Sequence, residues 1–241
     1  MTVDHAVGWP VLSVVERRVL GVLVEKQKTT DTYPLSLNAV TVGSNQKSNR
    51  DPLLNLDDVQ VEEALTAVQK KGLVMRLISG RVDKWKHTLY DVWKVSSVEI
   101  AVIAELLLRG PQTVGDLRGR ASRMKDIADL DQLKSVLRSL QDRKLVVYLT
   151  DEDRRGAIIT HGFHAQEELD HLARAARENA THFDTLAAPS LPGASGSNSL
   201  RSDADWKELL QRVSAVEERL DRLHEVVTKL QSDLGATGNS G

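Results

Sequence analysis

LDDVQVEEALTAVQKKGLVMRL at 56–77 and ADLDQLKSVLRSLQDRKLVVYL at 128–149 are two versions of one segment. At an offset of 72, Val61 meets Leu133, Leu65 meets Leu137, Val68 meets Leu140, and Leu73-Val74 meets Leu145-Val146. The apolar spacing is helical and the Val/Leu-rich runs that follow predict strands. Both helices open on Asp-x-x-Gln (Asp57 with Gln60, Asp129 with Gln132), a variant of the capping box. Each Asp accepts from the N3 amide, and losing such a cap costs about 1 kcal/mol.

The duplication extends upstream. VERRVLGVLVEKQ (15–27) resembles VEIAVIAELLLRG (98–110) at an offset of 83, so the first copy carries 11 extra residues. A shorter helix follows in each copy, capped by Ser36 in one and Thr113 in the other. Downstream come turns at 79–84 and 150–156 and second strands at roughly 85–93 and 157–163. Three helices followed by a hairpin is the winged-helix variant of the helix-turn-helix. The expected fold is mainly α with small β-hairpins: two tandem winged-helix domains, at 11–95 and 96–164, plus a C-terminal coiled-coil helix.

The remainder divides by composition. Residues 165–187 read as an amphipathic helix, and 188–204 as a flexible linker rich in Ala, Ser, Pro and Gly. A heptad then occupies 205–235, with Trp206, Val213, Leu220, Val227 and Leu234 at a and Leu209, Val216, Leu223 and Leu230 at d. Nine apolar seam positions predict a coiled coil and hence a homodimer.

Composition excludes several classes. The 241 residues hold no cysteine, which removes disulfides and thiolate zinc sites and agrees with a cytoplasmic location. No leader pattern and no apolar run of membrane-spanning length is present, so no membrane association is expected. Net charge is −2, distributed as +2 over 1–95, +1 over 96–160 and −5 over 161–241. Phosphate-binding glycine loops, G-x-S-x-G and H-E-x-x-H are all missing, so neither an enzyme nor a cofactor is expected. His161, His164, Glu168 and His171 cluster in sequence, but surface histidines are the expected explanation and no metal site is expected.

GSNQKSNRDP (43–52) falls at the lengthened turn before the third helix of the first copy. Its polar side chains suit a self-satisfied loop. They equally suit contact with a ligand: Asn45, Gln46 and Asn49 with base edges, Lys47 and Arg50 with phosphate or guanine. Arg118, Arg120, Arg123 and Lys125 form a basic patch at the equivalent turn of the second copy. Against DNA reading, the third helices open on carboxylates: Asp57, Asp58, Glu62 and Glu63 in one, Asp129 and Asp131 in the other. Nucleic-acid binding with a regulatory role, on duplex DNA, is therefore the leading expectation, and a dimeric adaptor for a protein partner, without DNA binding, is the alternative.

EKQKTTDTYPLSLNAVTVGSNQKSNRDPLLNLDD (25–58) and LLLRGPQTVGDLRGRASRM (106–124) resemble the YceH-like family of uncharacterised bacterial proteins. The likeness covers roughly residues 11–150 and is most specific at SNQKSNRDP. It implies two winged-helix domains and a heptad-patterned C-terminal helix, and it implies no biochemical activity. The chain departs from the family at Gly43-Ser44, where members typically carry Ala-Cys, so that cysteine has no role here.

Overall fold

Ser13 caps the first helix by accepting from the Glu16 amide, while the Glu16 carboxylate accepts from the Ser13 amide at 2.7 Å. The same reciprocal box, Ser96 with Glu99, starts the corresponding helix 83 residues later. In this computed structural model, which describes residues 9–78 and 82–185, these boxes begin two copies of one element order. The first is α1 (Val14–Thr29), β1 (Leu35–Ser36), α2 (Leu37–Ser44), α3 (Asp58–Lys70), β2 (Val74–Leu77) and β3 (Lys84–His87). A short α4 (Leu89–Trp93) leads to the second: α5 (Ser97–Arg109), β4 (Gln112–Thr113), α6 (Val114–Ala121), α7 (Leu130–Asp142), β5 (Val146–Tyr148) and β6 (Ile158–His161). Helix α8 (Gln166–Thr185) follows.

The described part is mainly helical with two small antiparallel sheets, ordered β1-β3-β2 and β4-β6-β5. Leu35 pairs with Trp85 and Gln112 with Ile159, so each sheet gains a two-residue strand that the sequence reading omitted. A second difference concerns 85–93, expected as one strand. The strand stops at His87, and Leu89 and Trp93 fold inward on α4 instead. The linker at 188–204 and the heptad at 205–235 lie outside the described residues.

The caps follow the duplication closely. Ser36 and Thr113 accept from the Ala39 and Asp116 amides. Asp57 and Gln60 form the full expected box. Asp129 accepts from Gln132 N at 2.7 Å, but the Gln132 side chain takes the Ala128 amide rather than that of Asp129. Helices α3 and α7 end alike: Gly72 N donates to Gln69 O and Leu73 N to Val68 O, matched by Lys144 to Gln141 and Leu145 to Leu140. This Schellman ending requires a left-handed residue. Gly72 adopts it at φ 75°, and Lys144 adopts it at φ 58°.

Helices α1 and α5 pack along each other and join the copies through one continuous core. Every residue from Glu16 to Glu25 is buried, as is every residue from Glu99 to Leu108. The approach is close: a Cβ on Gly21 would stand 2.7 Å from Leu108 Cγ. Helices buried all round carry their polar residues inside, and those must be satisfied there.

Candidate functional site

The segment 43–52 is anchored by its own side chains. Asn45, the C-cap of α2, donates from Nδ2 to Leu56 O at 2.7 Å and accepts from Leu56 N at 2.8 Å. One amide thus spans the loop as a strand partner would. Asn49 is left-handed at φ 58°, a conformation asparagine tolerates, and its Oδ1 accepts from Arg109 Nη2 at 2.7 Å. Asp51 N donates to Leu108 O at 3.0 Å, stitching the loop to α5.

Arg50, a candidate contact in the sequence, is buried. Its guanidinium grips Glu25 with both terminal nitrogens, at 3.2 and 2.5 Å, and also donates to Gly43 O, Asn49 O and Gln46 Oε1. Arg123, from the basic patch, bridges Glu25 and Glu105, the latter at 2.9 Å. Arg109 adds an ion pair to Glu105 at 3.1 Å. The result is a chain of charges crossing from the first copy to the second, built on two buried carboxylates. Burial opposes ionisation of Glu25, but the hydrogen bonds and charges of Arg50 and then Arg123 hold its carboxyl below the ordinary range.

The other candidates divide. Arg118 donates to Ala128 O at 2.5 Å and Arg120 to Gln112 Oε1 at 2.8 Å, both bracing α6. Gln46 is half-buried against Arg50. Lys47 and Lys125 are exposed and make no ion pair among the described residues. The nine heptad positions from Trp206 to Leu234 lie outside the described residues. Sequence reasoning missed Glu25 and Glu105 altogether. The signal was available in IAVIAELLL (100–108), where a lone glutamate inside an apolar run requires a cation.

The exposed faces of the two copies differ. Around α3 the surface carries Asp57, Asp58 and Glu63, with Val59 65% exposed among them. Arg76 of β2 pairs with Glu62 at 3.6 Å and with Asp83 at 2.6 Å, tying the hairpin to α3. The hairpin bears Ile78 at 85% exposure. On α7, Lys134 and Arg138 are exposed, but Glu152 and Asp153 share their groove. Among the described residues no group of three or more His, Asp or Glu side chains is placed to hold a metal ion, and no helix is long and apolar enough to cross a membrane.

A duplicated, mainly helical scaffold with a loop of this composition defines a class that the comparisons identify. The family described as "Protein of unknown function, DUF480" matches residues 12–156. A UPF0502 protein of Xanthomonas campestris pv. campestris (strain B100) is 37% identical over 231 residues, covering 95% of this chain and 96% of its own. The chain belongs to this DUF480/UPF0502 family of uncharacterised bacterial proteins, in agreement with the YceH-like resemblance. UPF0502 proteins of Citrifermentans bemidjiense and Pseudomonas aeruginosa (strain LESB58) are 51% and 43% identical over 130 and 139 residues. Those matches span 53% and 57% of this chain and 60% and 63% of the relatives' own lengths.

Proposed function

We propose that the chain is a dimeric tandem winged-helix adaptor that docks a protein partner on the α3 face of its first copy. The observation that carries this reading is the acidic and apolar character of that face. In a helix-turn-helix the third helix approaches phosphate, and the exposed carboxylates of Asp57, Asp58 and Glu63 repel it. Val59, exposed among them, and Ile78, exposed on the hairpin that Arg76 ties to α3, gain nothing from a phosphate backbone. Carboxylates around exposed apolar side chains complement a basic partner that brings an apolar anchor. The internal engagement of Arg50 and Arg123 on buried carboxylates, and of Arg120 on Gln112, supports the same reading, because it withdraws three of the cations that suggested phosphate contact. The heptad at 205–235 supplies the dimer seam.

The test is affinity purification from cells after nuclease treatment, using wild type and the double variant Val59→Asp with Ile78→Asp. The adaptor reading expects a nuclease-resistant protein partner that the variant loses while remaining folded. A bound species that disappears with nuclease would favour nucleic acid instead. That second reading draws on Lys125, Lys134 and Arg138, exposed in the second copy.

A further inference from the structure

A cleft of about 220 Å³ opens between α1, the 51–52 turn, the end of α5 and α8. Three guanidiniums line it, Arg17, Arg18 and Arg109, against two carboxylates, Asp51 and Glu168. The carboxylates do not balance the arginines evenly. Glu168 is held by Arg17 through two contacts at 2.9 and 3.2 Å. Arg109 has Glu105 behind it. Arg18 makes no ion pair among the described residues, although it is only 1% exposed.

Arg18 donates to two backbone carbonyls, Ser44 O at 2.8 Å and Pro52 O at 2.5 Å, and its Nε has no hydrogen-bond partner. Both terminal nitrogens are thus partnered by neutral carbonyls, and Nε is left without a partner. A buried cation without a counter-charge is costly, and proteins normally pair it. Burial, reinforced by the charge of Arg50 and partly offset by Asp51, lowers the Arg18 pKa to about 10. The rest of the wall is Val14, Pro52, Leu107, Gly110, Pro111 and Leu172, with the imidazoles of His161 and His164. Space for roughly seven waters remains, which also accommodates a phosphate group on a short carbon stem.

We propose that this cleft binds a small phosphate monoester, with Arg18 as the anchoring charge and with Arg17 and Arg109, already paired with Glu168 and Glu105, forming its rim. Arginine forks match phosphate oxygens in geometry as well as charge. The apolar wall would take the ester's stem. The site is independent of the α3 face, so its fate does not decide the adaptor reading.

The experiment follows thermal unfolding of the full chain against inorganic phosphate, with acetate and chloride at matched ionic strength. A ligand at a hundredfold excess over its Kd raises the midpoint of a chain this size by about 5 °C or more. Phosphate should give such a saturable rise, while acetate and chloride should not. Arg18→Gln should abolish it. Because that variant removes a buried group, Leu172→Trp provides a second case: it fills the cleft, keeps every cation, and should also abolish the rise. Lys47→Ala should leave it intact. Equal shifts with all three anions, or a phosphate shift that survives Leu172→Trp, would overturn the site.

Discussion

Two glutamates on the buried helices decide what the polar loop is for. Glu25 and Glu105 face the joint between the copies, and Arg50 and Arg123 reach in from the two helix-turn loops to neutralise them. Removing one partner of a buried pair leaves an uncompensated charge. Arg50→Ala should therefore lower unfolding free energy by about 3 kcal/mol, part of the usual loss being recovered through Arg123. Lys47→Ala, three residues away and exposed, should change it by less than about 0.5 kcal/mol. Denaturant midpoints of both variants check the pair; equal effects would return the loop to the surface. A second substitution exploits the duplication. Lys144 holds a left-handed conformation that its counterpart Gly72 adopts freely. Lys144→Gly should thus stabilise the protein by about 0.5–1 kcal/mol, read from the same denaturation curves, although glycine is ordinarily destabilising.

At the scale of elements the duplication reaches the ion pairs. Lys71, just past α3, holds Glu16 at 2.6 Å, and Arg143, just past α7, holds Glu99. Each sheet also ends on a buried histidine: His87 accepts from Leu89 N and His161 from Phe163 N, both at Nδ1. Burial, then the charge of Lys28, lowers the His87 pKa to about 4. Burial, then His164 and Arg17, pushes His161 well below its ordinary value. Both are neutral in the fold, so below about pH 6.5 the unfolded chain takes up protons that the folded chain refuses. Stability should be full above pH 6.5 and fall as pH drops toward 4, with His87 alone contributing about 3 kcal/mol across that window. Glu25, Glu99 and Glu168, all lowered, add a further loss below about pH 4.5. Urea unfolding at pH 7 and pH 5 measures this. His87→Gln should flatten the slope, and an unchanged slope would contradict the assignment.

How much could be read beforehand follows from the range of each interaction. Caps, apolar spacing and the 72-residue offset are local or repetitive, so they mark α3, α7 and their strands in the sequence itself. Strands β1 and β4 exist only through partners about 50 residues away, Leu35 with Trp85 and Gln112 with Ile159, and two residues carry no periodicity. The stretch 85–93 is rich in aromatic residues and mimics a strand, but packing of Trp93 against Phe163, with centroids 4.8 Å apart, turns it into a helix. Arg50 and Arg123 looked like surface cations because their partners sit far off in sequence, on helices whose burial is set by each other.

The whole molecule is, on the function proposed above, a dimer joined by its tail that docks protein, not nucleic acid. Full-length chain should sediment as a dimer and a chain ending at Ala188 as a monomer; a dimer that persists would place the interface on the duplicated scaffold. The central claim is tested most directly by titrating the full-length chain against fluorescent duplex DNA at about 50 mM salt and following anisotropy. With its turn arginines engaged internally and carboxylates on α3, the protein should show no binding beyond the weak non-specific range of about 10⁻⁴ M. Tight binding that weakens with salt at a log–log slope near −5, as about three phosphate contacts per subunit require, would contradict it.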